Sequence, residues 1–336
     1  LLPTPVVRLN RAVAVAFAYG PQAGLDLLDD LRAQHLADLD ARPWRDGRPE
    51  WIRPALRLHP YVGILAGLGD ERALPLLLSA LRLPQHPDDI GFKLARYVQH
   101  ADRITAEIVP YLPIVEAGVR EPFEWGALQY ALRAFGPAAA PAVARLLASP
   151  LTDGSAATLG RIGPAAAEAL PALREAAAHG YPRLAVTAAG ALWRIDRSPD
   201  ALALLTAHLG GPAAGKAFEE IAAMGSTAVS AAPLVATYLD ARDPHWWTPA
   251  HAALTLWRLT GETERIAPVL TAAWHGNLHT RATIAEAATG SLAAALHPLF
   301  QAEIAANQRF NISANMPAST RVPDDERLQK LCRERT

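Results

Sequence analysis

A chain of 336 residues that is 51% hydrophobic but only 7% aromatic can bury a large core, and that core must be built mainly from Ala and Leu. A formal net charge of -1 and a pI near 6.9 exclude a global pull toward nucleic acid or an acidic membrane, so any such contact needs a local basic stripe. The single Cys332 excludes an internal disulfide and a cysteine-built zinc site, which points to a reducing, cytoplasmic compartment.

The chain opens at Leu1 without an initiator Met, which predicts a fragment or a processed protein. Leu9 to Tyr19 is apolar but short and interrupted by Asn10 and Arg11, and no stretch is long enough to span a bilayer. Residues 1–31 read as a helical hairpin, with Val6-Val7-Arg8-Leu9-Asn10-Arg11-Ala12-Val13-Ala14 ahead of a Gly20-Pro21 turn. That string resembles the tetratricopeptide-like C-terminal tail of some extracytoplasmic-function sigma factors. The likeness implies a hairpin and no promoter-reading activity, and the simplest use of the hairpin is an N-terminal cap on a helical stack.

Residues 32–57 are the most polar segment, punctuated by Trp44 and Trp51 among His35, Asp38, Asp40, Arg45, Asp46 and Arg48. Trp44-Arg45-Asp46-Gly47-Arg48-Pro49 predicts a loop. Tryptophan beside arginine suits a protein-binding hot spot, while a linker whose tryptophans fold back on the next helices accounts for the same residues.

From residue 58 to 306 one phrase recurs: a small-residue apolar stretch, a turn, a short gap, a Pro and a leucine-rich stretch. The turn markers are Gly69, His100, Gly136, Gly163, Asp196, Gly225, Gly261 and Gly290, spaced 27 to 36 residues apart. That period holds two helices, and the fold class it predicts is all-α, an α-α superhelix or right-handed solenoid of about eight helical hairpins. Within one unit, Leu184, Ala188, Leu192 and Ile195 make a single helical stripe, Ser198-Pro199-Asp200 reads as a cap, and Leu202, Leu205 and Leu209 begin a second helix. Pro75, Pro110, Pro141, Pro171, Pro233, Pro268 and Pro298 are expected in first turns, where the missing N–H costs little.

These phrases resemble HEAT repeats of the short type found in phycobilin lyases. The residues that carry the likeness are Ala156-Ala157-x-Leu159-Gly160-Arg161-Ile162-Gly163-Pro164 with Ala169-Leu170-Pro171-Ala172-Leu173, and Ala188-Ala189-x-Ala191-Leu192-x-Arg194-Ile195. The resemblance implies the fold and leaves the role open, since such repeats host adaptors, inhibitors, lyases and DNA-repair enzymes.

Aligning the turns places Arg161, Arg194 and Arg258 in one slot near the end of the first helix, with Trp193 and Trp257 just before it in two units. Such a ladder suits a partner's carboxylates. The helix dipole alone, worth about 0.3 to 1 kcal/mol, also favours a basic residue there, and tryptophan there can pack between layers. Trp246 and Trp247 follow Asp243-Pro244 in an inter-repeat loop, and adjacent tryptophans cannot both face one way. His275 and His279 have a suggestive spacing without an acidic third ligand nearby in sequence, His245 and His251 are a similarly weak signal, and no phosphate loop, nucleophile elbow or His-Glu-x-x-His string is present.

Past Phe300 the repeat fades, and residues 307–336 read as a polar tail ending in a short amphipathic helix with Leu328, Leu331 and Cys332 on its docking face. The sequence thus points to a monomeric, non-enzymatic protein-binding scaffold without cofactor, metal or membrane contact. Two alternatives stay open: a HEAT-like enzyme of the DNA alkylpurine glycosylase or tetrapyrrole lyase type, for which Trp246, Trp247 and Asp243 are the only hints, and a nucleic-acid binder through the arginine ladder.

Overall fold

Positive backbone φ angles at Gly69, Gly136, Gly163, Gly225, Gly261 and Gly290 break the helices at six of the eight marked turns. Only residues without a Cβ adopt this geometry freely, so each glycine ends one helix and re-aims the chain for the next. At a seventh turn the left-handed residue is Arg197 (φ 58°), one position after the marked Asp196. The eighth is made differently: a 3-10 turn, Val98–His100, leads into the next helix, and His100 pairs with Glu71 at 2.7 Å.

The computed structural model describes residues 52–53, 57–58, 60–82, 89–112, 123–306 and 318–336, together with Arg11, Val15 and Ala23. The expected N-terminal hairpin, apart from those three helical residues, and both Trp44 and Trp51 lie outside the described residues. The described chain is all-α except for one antiparallel pair, Ile52–Arg53 with Arg57–Leu58, at the end of the segment expected to be a polar linker or loop. It divides into two compact units, residues 1–172 and 173–336.

In the first unit, α1 (Pro60–Leu68), α3 (Ile90–Leu94), α5 (Phe123–Phe135) and α7 (Asp153–Ile162) pack side by side in chain order. Their second-helix partners include α2 (Leu74–Leu81), α4 (Ala101–Ile108) and α6 (Val143–Leu147), the last entered through the 3-10 segment Gly136–Ala142. A methyl group at Gly91 would stand 1.8 Å from the Ala127 carbonyl oxygen, so α3 and α5 approach as closely as backbones can. Only a residue without a side chain permits such contact.

In the second unit the succession is α9 (Pro182–Asp196), α11 (Ala214–Met224), α13 (Trp247–Thr260) and α15 (Thr280–Ala287), after α8 (Leu170–His179), which crosses the unit boundary. Their second elements are α10 (Ala201–Thr206), α12 (Ala232–Ala236) after the 3-10 segment Gly225–Ala231, α14 (Ile266–Gly276) and α16 (Gly290–Ala305). The stripe Leu184, Ala188, Leu192 and Ile195 is buried as expected, and Leu205 and Leu209 with it.

Three expectations need correction. Pro110 lies in a 3-10 turn after α4, and therefore ends a helix. Pro298 sits inside α16; both it and Ala294, whose carbonyl loses its N–H partner, are exposed, so water can solvate the freed group. Ser198 is buried and gives no side-chain cap; its carbonyl accepts from Ala201 N–H, and Pro199-Asp200 form a turn before α10. The tail helix is also longer than its amphipathic pattern showed: α17 runs Ala318–Arg335 and packs on α15 and α16, burying Leu328 and Cys332.

Candidate functional site

Three consecutive first helices, α11, α13 and α15, line an open cavity of about 440 Å³ in the second unit. Its apolar lining comes from Ala222 and Ala223 on α11, Leu254 on α13 and Ala287 on α15. Its polar groups are Glu219, His251, Thr255, Arg258 and Thr283. Thr255 turns its hydroxyl inward and donates to the Phe218 carbonyl at 3.0 Å, tying α13 to α11 and leaving the other polar groups to define the chemistry.

Arg258 is exposed at the C-terminal end of α13, where the helix dipole favours a cation. Its guanidinium lies 4.6 Å from the centroid of the Trp257 ring, and Nη2 donates to the Ala287 carbonyl at 3.4 Å. The plane of the fork is thus held by a ring and a carbonyl rather than by an acid. Glu219, the only carboxylate lining the cavity among the described residues, is paired with Lys216 at 3.3 Å.

His251 lies one turn into α13 and stacks on Trp247, with ring centroids 5.6 Å apart and planes 23° apart. Burial pushes its pKa below the ordinary imidazole value, and the nearby Glu219 carboxylate opposes that shift. His251 is therefore a neutral hydrogen-bonding group at neutral pH.

The sequence-selected residues divide sharply. Trp257 and Arg258 come together at the cavity, and Trp247 reaches it through His251. Arg194 occupies the equivalent slot on α9 but closes on Glu220 at 2.5 Å; Glu220 is 3% exposed and also holds Lys216 at 2.9 Å. Trp193 carries Arg197 over its ring at 4.8 Å and keeps its indole Nε1 buried without a partner among the described residues. Arg161 is exposed at the end of α7, in the first unit.

Trp246 has a positive φ of 61° and presses its indole on α14, where a methyl group at Gly276 would stand 2.2 Å from Nε1. The tryptophan doublet therefore splits its duties: Trp246 packs, and Trp247 stacks on His251. Asp243 accepts from the backbone N–H groups of His245 and Thr248 and from the Thr248 hydroxyl. Burial alone would raise its pKa, but these hydrogen bonds outweigh it and hold the carboxyl below the usual range. Asp243 is thus committed to starting α13.

His275 is exposed at the end of α14, and His279 precedes α15, where its backbone N–H donates to the Asn277 side chain at 2.9 Å. Among the described residues no three His, Cys, Asp or Glu side chains gather as a metal site, and no helix is long and apolar enough to cross a membrane. His251, Glu219 and Thr283 were not singled out as binding residues in the sequence. His251 was visible only as half of a spaced pair, and nothing marked the other two, because the cavity needs three helices to exist. No protein-family model and no curated protein matches the chain.

Proposed function

We propose that the chain is a non-enzymatic protein-binding scaffold whose helix pairs are HEAT-like repeats stacked as a right-handed solenoid, and that the α11–α13–α15 face receives the partner. Within each unit, first helices adjoin first helices in chain order, which supports the repeat reading. The observation that carries the binding reading is Arg258: a cation oriented over an open cavity, stacked on tryptophan, and without an ion pair among the described residues. Arginine with tryptophan beside a small apolar lining is the composition of a binding hot spot.

A glycosylase reading draws less support, because the Asp243 carboxylate already accepts three hydrogen bonds at the start of α13. A nucleic-acid ladder draws less as well, because Arg194 is neutralised by Glu220. The partner is accordingly another protein, met in the cytoplasm by a monomer of this chain.

Site-directed photocrosslinking tests the reading. A benzophenone amino acid at Ala223, in the cavity lining, is expected to give one discrete adduct in cell extract, whereas the same probe at Leu234 on α12, exposed and away from the cavity, gives none. Adducts at Leu234 and none at Ala223 would place the partner elsewhere.

A further inference from the structure

We infer that the cavity is a receptor for a carboxylate: a glutamate side chain of the partner enters it and pairs with Arg258. The inference rests on the proposed binding role of this face and adds the chemistry of what is bound. The decisive comparison is between two successive registers of the second unit. Arg194 stands three residues before the left-handed Arg197 and finds its carboxylate on the next first helix, from Glu220, five residues before the left-handed Gly225. Arg258 stands three residues before Gly261, and the residue five before Gly290 on its next first helix is Ala285.

The repeat thus presents one arginine with a resident acid and a second arginine whose corresponding acid is replaced by alanine. Beside Arg258 lies a cavity lined from α15 by Thr283 and Ala287, two residues before and two after Ala285, and Arg258 is the only guanidinium or ammonium among the described residues that lines it. Its Nη2 contact to a carbonyl at 3.4 Å is long and exposed, so a bidentate carboxylate can replace it while the Trp257 ring keeps the plane of the fork. Glu219 does not serve, being turned to Lys216.

The walls specify more than charge. Ala222, Ala223, Leu254 and Ala287 offer apolar lining to the two methylenes of a glutamate, and His251 and Thr283 supply neutral hydrogen-bonding groups beside the bound acid. A carboxylate seated there favours protonation of His251, so binding takes up a proton and tightens as pH falls.

The test is an NMR titration of the intact protein with N-acetyl-glutamate N-methylamide, followed at the His251 imidazole and Arg258 Nε–H resonances. N-acetyl-glutamine N-methylamide and N-acetyl-alanine serve as comparators. Saturable shifts with the glutamate probe alone are expected, with a raised His251 titration midpoint. Arg258→Gln should weaken binding by about tenfold or more, the loss of one charge-assisted pair.

Thr283→Glu, which installs the acid internally, should abolish binding at an unchanged melting temperature, so that loss is not loss of fold. Equal shifts from the glutamine probe, preference for N-acetyl-alanine, or unchanged binding by Arg258→Gln would each overturn the inference. Failure of the glutamate probe with the Ala223 crosslink intact would remove the carboxylate and leave the binding face.

Discussion

Arg194 and Glu220 form an ion pair, 2.5 Å from Nη2 to Oε2, around a carboxylate that is almost wholly buried and shared with Lys216. α9 carries Gly190 at this point, where a methyl group would stand 2.3 Å from Glu220 Oε2. Removing one partner of a buried pair costs more than the pair contributes, because the other charge is left desolvated. Arg194→Ala should therefore destabilise the protein by about 2 kcal/mol, below the full range for a buried pair because Arg194 is partly exposed and Lys216 remains. Arg258→Ala should cost less than about 0.5 kcal/mol as a surface change. Urea unfolding of both variants checks this, and equal costs would show that the two arginines do not differ in role.

The Gly276–Trp246 contact predicts a second asymmetry. Gly276→Ala must displace the Trp246 indole from the end of α14, and overpacking of this kind costs about 1 to 3 kcal/mol. Gly211→Ala, whose added methyl would meet only the His208 carbonyl at 3.6 Å, should be far milder. Thermal melting compares them, and a Gly276→Ala protein as stable as the Gly211→Ala protein would refute the packing role assigned to Trp246.

His251 predicts a pH dependence with a definite sign. Its pKa in the folded protein is below the ordinary 6.5, with burial as the cause and Glu219 opposing. Glu219 from α11, paired with Lys216, and Arg258 from α13 are the charged residues lining the cavity among the described residues, and α15 contributes Thr283 and Ala287 there. As pH falls through 6.5 the unfolded chain gains a proton that the folded chain does not, so stability drops until the folded imidazole also protonates. His251→Phe should flatten this part of the profile. Chemical unfolding at pH 5 to 8 measures it, and an identical slope in the variant would assign the dependence to another group.

Cys332 reports on the tail helix. The thiol is fully buried, and burial pushes its pKa up to about 12, with Glu303 adding to the shift and Arg281 and Arg333 opposing it. It should react with a disulfide reagent only when α17 lifts from α15 and α16. Leu328→Asp, at the centre of the docking face, should speed that reaction by about tenfold or more. Fast reaction in the unaltered protein would contradict the docked position.

Much of the fold was legible because it repeats. Each glycine turn marker coincides with a left-handed residue, since the phrase records a backbone requirement that only glycine meets cheaply. Pro110 and Pro298 fell outside the pattern because a spacing rule cannot tell which carbonyls face water. The site was legible by halves. The turn register brought out Arg258 and Trp257, but it equated Arg258 with Arg194, because Glu220 lies on a different helix from Arg194 and its pairing has no sequence signal. His251 and Thr283 gain meaning only once α11 and α15 flank α13.

Whether Arg258 receives the partner is decided by calorimetry: the affinity of the segment crosslinked at Ala223 is measured for the unaltered protein and for Arg258→Gln, with thermal melting as the control for folding. The variant should bind about tenfold or more weakly at an unchanged melting temperature. Equal affinity of the two proteins would contradict a receiving role for Arg258.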